Sequence, residues 1–336
     1  MRGHVTGRLI PDHDLLLPDG YIHLQTGGVG AMPRPVFDAT VAAMSAVESD
    51  PAGETYGPGI GRLDKVRGKV GRLLCCEAHD VVLTASATAG MFLIAQSLAF
   101  RPGDRILTTD HEHPAGRLGW EWVARRYGIA VDVLKISPAA ADPQAIVEQF
   151  ATAIRPETRV LSFSHILFTT GVRLPVEELC ALARKRDCLA IVDGAQSAGA
   201  MPVDVVAMGC HAYSASGHKW LMGPKGTGLL YLSPELGEKL DALPLQAGRQ
   251  ANSDSTGIGN IAGMHGLGAA IDYVQALGPT AIEAHNLALR RELHDALAEL
   301  PGISIPSPSD GQTISANLSF TLPDGADHHA IRDHGG

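Results

Sequence analysis

The sequence predicts an α/β fold, in which a mainly parallel sheet is covered by helices on both faces. Short apolar, β-branched runs alternate along the 336 residues with longer segments whose apolar residues recur at helical spacing. Runs this apolar are typical of strands that are buried on both faces, as in parallel sheets. Since 45% of the residues are hydrophobic, the chain can bury a large core, and its length favours one large domain with a smaller one.

Each element is predicted from its own pattern of residues. The β-branched and apolar runs predict strands over residues 81–84, 105–108, 130–134, 160–163, 189–192 and 228–232, with short strands near residue 303 and over 317–321. Helical spacing and proline near the start predict helices over residues 35–49, 88–100, 118–127, 143–153, 175–186, 262–277 and 280–300. The helix over 175–186 has acidic residues early and basic residues late, as the helix dipole favours.

Composition excludes several classes of function. The formal net charge is −9 and no long basic run occurs, which argues against nucleic acid as a partner. No apolar run approaches the roughly 18 residues of a membrane span, and the N-terminus lacks the apolar core of a signal peptide. The 5 cysteines are scattered without metal-ligand spacing, so we expect reduced thiols in a cytoplasmic protein that has no metal centre.

Two short clusters carry the chemistry. Asp193 ends the apolar run that begins at Ala190, and Lys219 ends the segment Ser216-Gly217-His218-Lys219. A lysine amine can form a Schiff base with pyridoxal phosphate (PLP), and a buried carboxylate keeps the pyridine nitrogen of that cofactor protonated. Taken singly, Lys219 could be a surface lysine and Asp193 could cap the next helix, but the two clusters together favour a PLP site.

Other polar residues fit the same cofactor. Residues 85–90 follow a predicted strand and open a helix with small side chains, so the backbone at Ala87 and Thr88 is a candidate phosphate cradle. Ser216 and His218 are further candidate donors to the phosphate, and Gln196 could donate to the phenolic oxygen of the cofactor.

His113 is a second candidate for direct contact with the ring. It lies just after a predicted strand, where its imidazole could stack on the pyridine face. His111 and Glu112 could alternatively belong to a metal site, but no third ligand is spaced for one.

From about Leu24 to Gly268, the chain resembles the class V aminotransferase family of fold-type I PLP enzymes, which includes cysteine desulfurases and isopenicillin N epimerase-like proteins. The motifs occur in the family's order: a Thr/Ser-x-x-Ala-Thr cradle (Thr84–Thr88), a Glu-His segment (Glu112-His113), a Ser-His segment (Ser164-His165), an Asp-x-x-Gln (Asp193, Gln196) and a Ser-x-His-Lys (Ser216, His218, Lys219). The resemblance implies a seven-stranded, mainly parallel sheet, a small domain built from both ends of the chain, and a homodimer with active sites at the interface.

The resemblance also divides the chain into domains. We expect an N-terminal arm and part of the small domain over residues 1–50, a large PLP-binding domain over 51–268 and a C-terminal small domain over 269–336. The chain ends before a counterpart of the arginine with which the family grips the substrate carboxylate, so we expect the last domain to be incomplete. We also expect Gln25, Thr26 and Arg249 to face the substrate.

Two departures from the family bear on the reaction. No cysteine follows Cys210, so we expect the chain not to be a cysteine desulfurase with a cysteine nucleophile. Residues 166–168 are Ile-Leu-Phe where desulfurases often have an asparagine near the cofactor, which favours the epimerase or lyase branches.

We therefore expect a PLP-dependent enzyme that acts on an amino acid through a Schiff base at Lys219, of the aminotransferase class V type. The alternatives are an epimerase or a C–S or C–C lyase of the same family, and a PLP-binding protein with impaired catalysis.

Overall fold

The structure is a computed structural model that describes residues 7–137, 142–240, 259–323 and 325. The described residues form a seven-stranded sheet. Its strands are β1 (Val81–Thr84), β2 (Arg105–Thr109), β3 (Ala130–Leu134), β4 (Thr158–Ser164), β5 (Leu189–Asp193), β6 (Ala212–Ser216) and β7 (Gly228–Leu232). The spatial order is β1-β7-β6-β5-β4-β2-β3. Only β7 runs against its neighbours, so the carboxyl ends of the other six strands meet at one edge of the sheet.

Helices cover both faces of this sheet. They are α1 (Arg34–Ser49), α2 (Pro51–Tyr56), α3 (Pro58–Leu74), α4 (Ala87–Ser97), α5 (Pro114–Tyr127), α6 (Pro143–Ala153), α7 (Val176–Lys185), α8 (Val205–Met208), α9 (Pro234–Lys239), α10 (Ile261–Leu277) and α11 (Pro279–Ala298). None of the helices in the described ranges is long and apolar enough to cross a membrane.

The core has two layers because successive side chains of a strand point to opposite faces. On β5, Ala190 and Val192 pack with residues of α3, α6, α7 and α10. Ile191 points the other way and packs with residues of α4 and α5. The predicted α/β class with helices on both faces is therefore confirmed.

The short helices α8 and α9 were not predicted, and larger differences from the predictions occur at three places. The strand β6 was missed because its sequence, Ala-Tyr-Ser-Ala-Ser, is small and polar, although every residue of it is buried. The helices α2 and α3 were missed because prolines and glycines interrupt their pattern. The strands expected near residue 303 and over 317–321 reduce, in the described part of the chain, to an isolated antiparallel bridge between Ser304 and Thr321.

Candidate active site

A cavity of about 940 Å³ lies at the edge where the parallel strands end. Ligands of open α/β sheets bind at such an edge. Its lining includes these sequence-predicted site residues: Gln25, Thr26, Ala87, Thr88, His113, Asp193, Gln196, Ser216, His218 and Lys219. Arg249 lies outside the described residues. The structure thus brings together residues that are almost 200 positions apart in the chain.

Asp193 stands at the carboxyl end of β5, in register with Ser164 on β4 and Ser214 on β6. Its side chain is buried, and Oδ1 accepts a hydrogen bond of 2.9 Å from the backbone N–H of Ala195. Burial raises the pKa of Asp193, while that N–H, Lys219 and His113 oppose the rise. The residues after Asp193 form a turn, so the alternative that it caps a helix is wrong.

Close packing of the start of α5 encloses this carboxylate. A Cβ atom placed on Gly116 would stand 3.1 Å from Oδ2 of Asp193. A buried carboxylate needs a positive partner, and the protonated pyridine nitrogen of PLP would meet that need.

Lys219 lies in the turn that follows β6 and lines the same cavity. Burial lowers the pKa of its ammonium group, and the charge of Asp193 opposes this effect. A lysine with a lowered pKa more readily provides the neutral amine that nucleophilic attack on a carbonyl requires.

The start of α4 and the end of β6 form an anion-binding corner. The hydroxyl of Ser86 caps α4 by accepting from the N–H of Ala89 at 3.1 Å, and the N–H of Ala87 donates to Oγ of Ser216 at 3.0 Å. Beside them, Nδ1 of His218 is buried and has no hydrogen-bond partner among the described residues. A helix N-terminus, a hydroxyl and an unpartnered ring nitrogen suit a phosphate group, so this corner fits the phosphate of PLP.

His113 caps the N-terminus of α5. Its Nδ1 accepts from the N–H of Ala115 at 3.2 Å, and its ring stands edge-on to Phe168 at 5.1 Å between centroids. Burial lowers the pKa of His113, and the nearby Lys219 lowers it further, while Asp193 opposes the shift. Because Nδ1 accepts the hydrogen bond from Ala115, this nitrogen carries no proton, and a neutral ring suits stacking on a cationic pyridinium.

An N-terminal loop closes one side of the cavity and carries Gln25 and Thr26 to its wall. The side-chain amide of Gln196 donates to the carbonyl of Gly27 at 2.9 Å, and the N–H of Gly30 donates to the carbonyl of His218 at 2.7 Å. A Cβ atom on Gly30 would lie only 2.1 Å from the carbonyl oxygen of Lys219, so the loop requires glycine at this position.

Sequence reasoning missed one wall of the cavity. On α11, the residues Asn286, Leu289, Arg290 and Leu293 recur at i, i+3, i+4 and i+7 and line the cavity together. Their spacing puts them on one face of a helix, and this regularity was the signal available in the sequence.

Arg290 is the cation of that wall. It is 5% exposed, and among the described residues its guanidinium donates only to the backbone carbonyls of Asn317, at 3.4 Å, and Pro308. Burial lowers the pKa of Arg290, with a further contribution from Arg291. A buried guanidinium that meets only neutral acceptors is costly, so it is a candidate binder of an anionic ligand group.

Two further missed residues connect this wall to the cofactor residues. The indole N–H of Trp220 donates to Oε1 of Gln196 at 2.8 Å, and the amide of Asn317 donates to the same oxygen at 3.4 Å. The side chain of Gln196 is thereby held in place from three sides.

His111, which together with Glu112 was considered as part of a metal site, is engaged in other contacts. The ring nitrogens of His111 lie 2.6 Å from Oγ1 of Thr169 and 2.8 Å from the carbonyl oxygen of Ile136. Across the described ranges, no group of three or more His, Cys, Asp or Glu side chains is arranged to hold a metal ion.

The family model of aminotransferase class V matches residues 31–333. The chain belongs to this family. Isopenicillin N epimerase of Streptomyces clavuligerus is 30% identical over 340 aligned positions, which cover 95% of this chain and 85% of that protein. Cysteine desulfurase of Dickeya dadantii is 32% identical over 290 positions, covering 80% and 67% of the two chains. Among solved structures, a complex of the cystine C–S lyase C-DES with its product cysteine persulfide has a TM-score of 0.81 at 25% identity, covering 94% and 87% of the two chains.

Membership confirms the predicted family, the fold-type I architecture and the cofactor, pyridoxal phosphate. It also confirms the predicted class of function, a PLP-dependent enzyme of the aminotransferase class V type. Desulfurases are among the similar proteins, so the expectation that this chain lacks desulfurase activity stays a prediction.

Proposed function

We propose that this protein moves a proton at the Cα of an amino-acid substrate, with Lys219 as the proton carrier. The observation that carries the proposal is the convergence of Lys219, Asp193 and His113 on one cavity that also holds an anion-binding corner. PLP, when bound, supplies the electron sink that makes the Cα–H bond acidic.

The protein's own residues supply binding and orientation. The corner formed by Ala87, Ser216 and His218 would hold the phosphate, and Asp193 would hold the proton on the ring nitrogen. The amine of Lys219, whose pKa burial lowers, is the group that would accept and return the proton of the Cα. Arg290 is the candidate partner for the substrate carboxylate, because it offers a buried cation on the wall of the same cavity.

Epimerisation is the reaction that we place first. The isopenicillin N epimerases match almost the whole chain, and none of the described residues that line the cavity is a cysteine. Ile166 and Phe168 line the cavity where desulfurases often have an asparagine, which leaves the wall apolar. C–S lysis is the second candidate, favoured by the likeness to C-DES.

The test is exchange of the Cα proton in deuterated water. The purified protein, loaded with PLP, is screened against L- and D-amino acids by NMR, with Lys219→Ala as the control. We expect exchange that depends on Lys219; inversion of configuration then identifies epimerisation, release of sulfide identifies C–S lysis, and a keto acid identifies transamination. A wild-type protein that binds PLP but exchanges no Cα proton from any of these substrates would contradict the proposal.

We also propose that the protein is a homodimer. Phe37, Val41 and Met44 are exposed and share one face of α1, and Ile22 and Leu24 are exposed on the N-terminal loop beside the cavity. Exposed apolar side chains that share a face mark interaction surfaces, and a second copy of the chain is the expected partner. Light scattering after size exclusion tests this: we expect the mass of two chains, and Met44→Glu should shift it toward one.

A further inference from the structure

Glu112 is a buried carboxyl group to which no role in cofactor chemistry has been assigned. Its Oε1 accepts from the hydroxyl of Thr109 at 2.6 Å and from the N–H of Ser164 at 3.1 Å. Its Oε2 lies 2.6 Å from the hydroxyl of Ser164. A carboxyl group with three hydrogen bonds is held in a fixed orientation even though it lies away from solvent.

These partners belong to the edge of the sheet that carries the active site. Thr109 is the last residue of β2, and Ser164 is the last residue of β4, in register with Asp193 on β5. Glu112 itself lies in the loop between β2 and α5, directly before His113. The carboxyl group therefore ties that loop to two strand ends, one residue away from the ring that faces the cofactor site.

The link can persist in either protonation state of Glu112. Burial raises the pKa of Glu112 to about 7, the hydrogen bonds from Ser164 and Thr109 oppose the rise, and the charge of Asp193 adds to it. The ionised form accepts all three hydrogen bonds, whereas the neutral form can donate to Oγ of Ser164 and still accept the other two. The three hydrogen bonds therefore depend on where the carboxyl group lies and not on whether it is ionised.

We propose that Glu112 is a positioning residue that holds His113 against the cofactor ring by fixing the loop to β2 and β4. The inference rests on the proposed PLP site. Glu112 does not line the cavity whereas His113 does, so the effect of Glu112 would pass through His113.

Replacing Glu112 by glutamine or by alanine separates an effect of the lost charge from an effect of the lost hydrogen bonds. Glu112→Gln keeps two acceptor bonds at Oε1 and can donate from its amide to Ser164, whereas Glu112→Ala removes all three contacts. We expect Glu112→Ala to weaken PLP binding by about tenfold, or about 1.4 kcal/mol, and to change the circular dichroism of the bound cofactor, since three coupled contacts are lost. Glu112→Gln should stay within about threefold of wild type, and Glu148→Ala, on the exposed face of α6, should have no effect.

A double-mutant cycle with His113→Ala decides whether the effect passes through that ring. If Glu112 acts through His113, Glu112→Ala adds little to the loss in PLP affinity that His113→Ala already causes. Equal effects of Glu112→Ala in both backgrounds would show a merely structural role and overturn the proposal, as would wild-type affinity and dichroism in Glu112→Ala.

The design separates this inference from the proposed function. Wild-type protein that takes up no PLP would refute the cofactor site itself, whereas additive variants of a PLP-binding protein would refute only the role of Glu112. Should Glu112→Ala not fold, Thr109→Val takes its place in the same cycle, because it removes one of the three contacts. It should then give a smaller loss of affinity that again vanishes in the His113→Ala background.

Discussion

Replacing Asp193 by asparagine removes a negative charge from the centre of the candidate site with little change of shape. The asparagine Oδ1 can still accept the hydrogen bond from the N–H of Ala195, so the turn after β5 should persist. What is lost is the proposed partner of the protonated pyridine nitrogen, a carboxylate that also raises the pKa of Lys219.

Burial sets the size of the effect. An exposed ion pair contributes about 0–1 kcal/mol, but Asp193 is only 7% exposed. Breaking a buried pair by removing one partner costs about 3–5 kcal/mol. At about 1.4 kcal/mol for each factor of ten, we expect kcat/KM for Cα proton exchange to fall by about one hundred- to a few thousandfold.

The stability of the cofactor-free protein should change in the opposite direction. Because burial raises the pKa of Asp193, the folded state holds this proton more tightly than the unfolded state. Its stabilising contribution is present below the ordinary carboxyl pKa and is lost as the pH rises through the raised value. Asp193→Asn removes that loss, so the apo variant should melt at a temperature equal to or above that of wild type at neutral pH.

The assay combines exchange kinetics of the PLP-loaded protein with thermal melting of the apo protein. The matched control is Asp310→Asn, at an exposed aspartate that does not line the cavity. Exchange activity within a few fold of wild type would refute the role of Asp193. A large loss of activity together with a large loss of apo stability would refute the view that the carboxylate serves the cofactor rather than the fold.

Three further substitutions test other parts of the site. Gly30→Ala should weaken PLP binding about tenfold, because overpacking against a backbone carbonyl costs about 1–3 kcal/mol; Gly61→Ala, with open space at its Cβ position, should not. Arg290→Met should raise KM for amino acids by about ten- to a hundredfold, since a hydrogen bond to a charged group is worth about 1.5–3 kcal/mol, while the exposed neighbour variant Arg291→Met should not. In Glu112→Gln, the free energy of unfolding should fall less steeply with rising pH than in wild type. Burial raises the pKa of Glu112 to about 7, so the stability that its bound proton contributes to the folded state is lost as the pH rises through about 7.

Each of these expectations has an outcome that contradicts it. If PLP titration gives the same affinity for Gly30→Ala and Gly61→Ala, the N-terminal loop does not contribute to the PLP site. For Arg290→Met, the comparison is between an amino acid and the amine that lacks its carboxylate. Equal loss for both substrates would assign Arg290 to packing alone. An unchanged pH dependence of urea unfolding in Glu112→Gln would show that Glu112 ionises alike in the folded and unfolded states.

The sequence by itself determined the fold class and singled out the candidate cofactor residues. Most strands and helices begin and end within a few residues of their predicted bounds, since hydrophobic periodicity and proline are local signals. Asp193 and Lys219 were found because an acid at the end of an apolar run and a lysine in a small, polar segment are unusual in themselves. The strand β6 escaped because its burial comes from tertiary packing and not from apolar side chains.

Only the tertiary structure decided which residues share the cavity. Arg290 and Asn317 became candidates only when α11 and the segment after it were placed on the cavity that Lys219 also lines. The role of Glu112 depends likewise on its contacts with two strand ends that come from distant parts of the chain. The physical reason is that the spacing of apolar residues along a segment indicates which of its side chains are buried. The free energy of a buried charge, in contrast, depends on which distant groups surround it.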